Sequence, residues 1–136
     1  MKIGLATFIG LIVCFLSTLL LELAGHSLFP IPFEVDFNNL EEFNAKRHLI
    51  PTGAYICVMI AHVVSLVLGL ITTRRIMNTT MIPLYIIAGF LLFGTIANAV
   101  SIPHPLWFEI LEITVLTAIA FLMLLDYYKR TVRSNN

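Results

Sequence analysis

Hydrophobic residues fill four long runs of this chain, residues 3–21, 53–73, 81–102 and 105–125, and polar residues gather in the segments between them. A hydrocarbon layer of about 30 Å takes about 20 residues at the helical rise of 1.5 Å, so each run is long enough to cross it. The first three runs contain no Asp, Glu, Lys or Arg, and in the second the strongest polar side chain is His62. Strands of a membrane barrel would alternate apolar and polar positions, whereas these runs are apolar on every face. The pattern predicts an all-α polytopic membrane protein, one domain over residues 1–136.

The links between runs fix the topology. About seven residues separate the second and third runs, and little more than Pro103-His104-Pro105 separates the third and fourth. Links this short force antiparallel neighbours and an up-down-up-down four-helix transmembrane bundle. Pro105 suits the first turn of the last helix, where its missing N–H costs nothing. The first run, preceded by Lys2, is longer than a signal-peptide core and lacks a small-x-small site after it, so it reads as a retained helix.

The segment 22–52 is the one long connection. Phe29-Pro30-Ile31-Pro32-Phe33 should be extended, because each proline biases its predecessor away from helix. A short amphipathic helix is expected over 38–50, capped by Asn38 or Asn39 and laying Leu40, Phe43 and Ile50 on the bundle. Otherwise the segment is a loop anchored by Phe29, Phe33 and Phe37. The last residues, Ser134-Asn135-Asn136, are expected to fray.

Composition agrees, with 59% hydrophobic residues, 12% charged and a mean hydropathy of +0.95. Soluble domains carry about twice that share of charge. Eight basic residues balance eight acidic ones, but not by side. Lys2, Arg74, Arg75, Lys129, Arg130 and Arg133 fall on one side of the predicted bundle with Asp126. The other side carries Glu22, Glu34, Asp36, Glu41, Glu42, Glu109 and Glu112 against Lys46 and Arg47. Basic residues in short flanks stay cytoplasmic, so both termini are expected inside, in an inner or plasma membrane, with anionic lipid against the basic face. Trp107, Tyr127 and Tyr128 are expected as interfacial anchors.

Small residues recur every fourth position, at Ala6, Gly10, Cys14 and Thr18 and at Ala61, Ser65, Gly69 and Thr73, a pattern that lets membrane helices approach closely. Packing within the chain is expected to use these ridges ahead of a homo-oligomer or a membrane-protein partner. Cys14 and Cys57 sit at different depths, as small buried hydrophobes and not as a disulfide.

A carboxylate at membrane depth costs several kcal/mol unless it is paired, hydrated or neutralised, so the chemistry is sought there. Glu22 and His26 share a face if the first helix extends that far, and Glu109 and Glu112 share one on the fourth. His62 would form the floor between them and Asn98 would complete the set from the third helix. Together they predict an outward-facing acidic pocket for a small amphiphile, a lipid, a cation or a partner. Each residue also has a plainer role: a solvated helix end for Glu22 and His26, interhelical hydrogen bonds for His62 and Asn98, and snorkelling for Glu109. His104, between prolines, is expected to be exposed or to be presented over the pocket.

Metal binding by Glu22-x-x-x-His26 and Glu109-x-x-Glu112 is disfavoured, because carboxylate bundle sites add Glu-x-x-His motifs that this chain lacks. No cofactor motif, phosphate loop or nucleic-acid patch is present. A lipid- or isoprenoid-modifying enzyme using Glu112 with Glu22 or His62 is the second reading. A proton- or cation-coupled transporter subunit is the third, weakened because no polar group continues the path through the inner half.

Glu22-x-x-Gly25-His26, Pro30-x-Pro32 with Asp36, Pro51, and Asn98 followed by Ile102-Pro103-His104-Pro105-x-Trp107 resemble a family of small bacterial four-helix membrane proteins without an assigned activity. That resemblance implies the four-helix fold and no reaction. A fainter, fold-level similarity is to the sterol isomerase and sigma-2 receptor superfamily, whose buried carboxylates serve isomerisation or bind amphiphilic amines. This chain has Glu-x-x-x-His where that group suggests His-x-x-x-Glu, which puts a catalytic transfer in doubt.

Overall fold

The structure is a computed structural model that describes residues 2–34 and 39–135. It is all-α: α1 (Lys2–Leu28), α2 (Leu40–Lys46), a 3-10 turn (Arg47–Leu49), α3 (Thr52–Ile76), α4 (Ile82–Ser101) and α5 (Leu106–Asn135). α1, α3, α4 and α5 are long and apolar enough to cross a membrane, as the hydropathy pattern predicts. The two short links make them antiparallel in chain order. The bundle therefore has a terminal end, with Lys2 and Arg133, and a connection end, with residues 29–34, 39–51 and 102–105.

α3 is the central helix, packed against α1, α4 and α5, while α1 and α5 make no backbone contact among the described residues. Its partnership with α1 is the most extensive in the fold, and the sequence explains why. A Cβ on Gly10 would overlap Thr73 Oγ1 and Ile87 Cδ1 and lie 3.4 Å from the Gly69 carbonyl oxygen. A Cβ on Gly69 would overlap Cys14 Sγ and lie 3.2 Å from the Gly10 carbonyl oxygen. Only two glycines let the backbones close to this separation. Cys14 Sγ donates to the Ser65 carbonyl (3.4 Å), Thr18 Oγ1 to Ser65 Oγ (2.8 Å) and Thr73 Oγ1 to the Ala6 carbonyl (3.5 Å). The two small-residue ridges thus face each other within one chain, and both cysteines are free. Leu66, Leu70, Leu84, Ile87 and Leu116 close the core around this crossing.

The long connection holds the expected helix in shortened form. Asn39 caps α2, its Oδ1 accepting from Glu42 N–H at 3.2 Å while its Nδ2 donates to Glu42 Oε2 at 3.1 Å. Glu41 and Glu42 lie in the first turn and Lys46 in the last, which suits the helix dipole. Phe43 turns into the bundle, Phe33 packs edge-on to it with ring centroids 6.3 Å apart, and Phe29 lies against Gly53. Asp36, Phe37, Asn38 and the side chain of Leu40 lie outside the described residues.

Three boundaries differ from expectation. α1 runs to Leu28, which brings Glu22 and His26 into the helix. Pro105 precedes α5 and caps it through its carbonyl, which accepts from Phe108 N–H (2.9 Å) and Glu109 N–H (3.3 Å). α5 continues through Ser134 and Asn135, within the stretch expected to fray, whose last residue Asn136 lies outside the described residues. Its last turns are held by the Asp126–Arg130 pair, by Thr131 Oγ1 donating to the Tyr127 carbonyl (2.9 Å) and by Arg74 donating to Thr131 Oγ1 (2.9 Å).

Candidate functional site

His62 sits nearly three turns into α3, on the side where that helix meets both α1 and α5. Its Nδ1 lies 2.6 Å from Glu112 Oε1 on α5, and its Nε2 lies 3.5 Å from Glu22 Oε1 on α1. One imidazole therefore bridges two helices whose backbones do not approach each other. Glu112 is only 2% exposed, the His62 side chain 15% and that of Glu22 32%, so burial increases from the α1 side toward α5. An unpaired carboxylate at the position of Glu112 would cost several kcal/mol, and His62 is the partner that offsets this.

The geometry restricts the protonation of the group. If both carboxylates are ionised, both imidazole nitrogens must carry hydrogen to donate, and the triad holds one net negative charge. One further proton neutralises it. A carboxylate on each side of a ring with two nitrogens also lets a proton pass from Glu112 to Nδ1 as another leaves Nε2 for Glu22. Glu112 orients the ring and Glu22 is the member that meets open space.

That space is a cleft of about 290 Å³ between α1, α3 and α4. α1 and α4 touch where Gly10 meets Ile87 and leave room toward the connection end. Along α1 the cleft runs from Leu11 to Glu22, about 16 Å at 1.5 Å per residue. Its two ends differ. Thr18, Glu22, His62, Thr95 and Asn98 form a polar end, while Leu11, Phe15, Phe90 and Leu91 form an apolar one. Phe15 and Phe90 are 68% and 62% exposed, so the mouth opens on the flank of the bundle between α1 and α4. Gly94 lines it, and a Cβ there meets nothing within 4 Å.

Glu22, His62 and Asn98 thus line one cleft, and Glu112 joins them through His62. His26 and Glu109 do not join them. His26, one turn beyond Glu22, faces a different cavity, because Gly25 packs on Cys57 and turns the last turn of α1 toward α3. Glu109 is half-buried and lines neither cavity, while Glu112 points inward to His62. Both sequence pairs with metal-ligand spacing are therefore split. Among the described residues no three His, Cys, Asp or Glu side chains gather as metal ligands. His104 is half-buried against Tyr55 and Phe108 and lines the same cavity as His26 and not the cleft. The hydroxyls of Thr18 and Thr95 were missed, although each lies one turn from a recognised residue, Glu22 or Asn98.

Of the aromatic anchors, Trp107 and Tyr128 are about half exposed, whereas Tyr127 packs on the core beneath Arg74, whose guanidinium carbon lies 5.9 Å from its ring centroid. No protein-family model, curated protein or solved structure matches the chain.

Proposed function

We propose that this is an integral membrane protein that binds a small amphiphile or membrane lipid in the α1–α3–α4 cleft. The observation that carries the reading is the division of the cleft into a polar end at Glu22 and His62 and an apolar end at Phe15 and Phe90 that opens on the side of the bundle. A ligand entering from the bilayer keeps its chain in an apolar surrounding and brings only its head to the triad. The volume of 290 Å³ lies at the lower edge of the range of about 300–1,000 Å³ for ligand pockets, which favours one slender chain over a whole two-chain lipid. A bare cation or a docked partner leaves the apolar half of the cleft without a role.

The polar end faces the outer side and both termini face the cytoplasm. The basic residues of the terminal end, Lys2, Arg74, Arg75, Lys129, Arg130 and Arg133, support this orientation.

The short His62–Glu112 contact supports a second reading, acid–base chemistry on the bound lipid. Glu112 fixes the imidazole while Nε2 and Glu22 face the cleft as the exchanging groups. Catalysis and binding share one site, so they are separated by whether the ligand leaves changed.

Native mass spectrometry of the mildly solubilised protein tests the binding reading. Wild type should carry an amphiphile adduct at about one per chain, and Gly94→Phe should lose it while remaining folded. Wild type without an adduct, or an adduct indifferent to the plug, overturns the proposal. A reporter fused to the C-terminus that is active only outside overturns the orientation.

A further inference from the structure

The connection end contains a second cavity, separate from the cleft, of about 130 Å³. Its wall is built from three directions. Ala54, Tyr55 and Val58 come from the first turns of α3, His104 and Phe108 from the α4–α5 junction, and Phe43 from α2. Phe43 is 6% exposed, and the segment that carries it is fastened across the end of the bundle. Arg47 Nη1 donates to the His104 carbonyl at 3.1 Å, and Tyr55 Oη donates to the Arg47 carbonyl at 3.5 Å. In this strap, Phe43 of α2 and Ile50 just beyond the 3-10 turn therefore roof part of the cavity, which stays open on another side.

Rings dominate its wall. Tyr55 and Phe108 have centroids 5.2 Å apart, and His104 and Phe108 5.4 Å, both pairs tilted. Tyr55 and Phe108 pack on one another and are 7% and 1% exposed, so a further ring in the cavity meets their edges, in the edge-on arrangement that aromatic groups accept. An apolar cavity of about 150 Å³ stays dry and takes up benzene, and this one is close to that size. No Asp, Glu, Lys or Arg lines it. Burial lowers the pKa of His104 below the ordinary histidine value, so that wall is neutral at neutral pH. His26 is exposed and stands on the lining as a hydrogen-bonding group.

We infer that this cavity is a second binding site, for a small neutral aromatic molecule of phenol size, seated against the edges of Tyr55 and Phe108 beneath Phe43 of the strap. It stands independently of the cleft and of any lipid bound there.

The chain carries its own reporter. Trp107 is the single tryptophan, and its ring centroid lies 6.0 Å from that of Tyr55 and 5.9 Å from that of Phe108. In nanodiscs, 4-bromophenol should quench Trp107 fluorescence along a saturating curve, and phenol should displace it. Partition into the bilayer alone gives quenching that rises linearly without saturating. Ala54→Leu fills the cavity from α3 and should weaken the saturable component at least tenfold. Val58→Phe should do the same, and it decides the matter if Ala54→Leu fails to fold by circular dichroism. Gly94→Phe, which plugs the cleft, should leave the saturable quenching in place. Linear quenching in wild type overturns the inference, as does saturation that survives in folded Val58→Phe.

Discussion

At the terminal end, α1 and α3 cross with Gly10 and Gly69 face to face, and a Cβ on either would collide with the neighbouring helix. Two to three turns further on, the same pair of helices carries Glu22 and His62 beside open space. The first region has small residues, full burial and hydroxyls spent on backbone carbonyls. The second has three ionisable groups, a cleft and a nearby, partly roofed cavity. Lipid chains are as apolar as leucine, so helix association in a membrane relies on close packing and interhelical hydrogen bonds. The terminal half supplies that packing. The connection half is thereby left free to hold charge and space, both of which weaken a bundle and both of which a ligand requires.

The sharpest way to break this comparison is to remove the group that makes the charged half tolerable. His62→Leu leaves Glu112 buried at 2% exposure without a partner, and removing one member of a buried pair typically costs about 3–5 kcal/mol. Thermal unfolding in detergent should show this as the largest single loss. Adding Glu112→Leu to His62→Leu should restore most of it, since an apolar pair of similar volume avoids the desolvation of both charges. A double variant as unstable as the single one would show that His62 acts through packing and not through charge.

Gly10→Leu attacks the other half. The new side chain meets the Thr73 and Ile87 side chains at overlapping distance, and overpacking of this kind costs about 1–3 kcal/mol. The same measurement should show a lower unfolding temperature than wild type but a smaller loss than His62→Leu. A neutral Gly10→Leu would mean that the α1–α3 crossing is looser than its glycines imply.

Much of the contrast is readable in the sequence, and the reasons are local. Spans declare themselves by hydropathy, and the ridges through Gly10 and Gly69 by their repeat every fourth residue, because both depend on single helices. Glu112 is legible because a carboxylate so deep in an apolar run demands a partner. Which partner it takes depends on how each helix is rotated when packed, and a repeat does not fix that. Glu109 illustrates the limit: three residues from Glu112 is a rotation of about 60° on a helix with 3.6 residues per turn, enough to move it out of the group. His26 illustrates a second, since one more turn of α1 brings different neighbours, and the contact of Gly25 with Cys57 hands it to the other cavity. The strap was visible as a capped amphipathic segment, but its fastening by Arg47 to a carbonyl 57 residues away was not.

The residue at the other end of that bond, His104, gives the connection half a pH dependence of its own. Desolvation lowers the His104 pKa below the ordinary value, against the opposing pull of Glu112 and Glu109. The unfolded chain therefore takes up this proton first. The contribution of His104 is fully present above about pH 6.5, the ordinary value, and is lost as the pH falls through it toward the lower folded one. The unfolding temperature of wild type should fall more between about pH 7 and pH 5 than that of His104→Gln. Parallel curves for the two proteins would remove His104 from the account and leave the roof of the second cavity without a titrating wall.

The smallest effect should come from a glycine that the packed half would never release. Gly94 lies in α4 where a Cβ meets nothing within 4 Å, so Gly94→Ala adds a methyl group to the edge of the cleft and to nothing else. Alanine is favoured over glycine inside a helix by about 0.8–1.0 kcal/mol in water, which sets an upper bound on the gain. Gly10→Ala, the same change of residue, should lower the unfolding temperature while Gly94→Ala leaves it equal or raises it. The opposite signs would come from surroundings alone, because propensity favours alanine at both positions. If both variants lose stability alike, the open space at Gly94 is filled by the protein itself in solution, and the difference between the two halves of the bundle collapses at the point where the cleft depends on it.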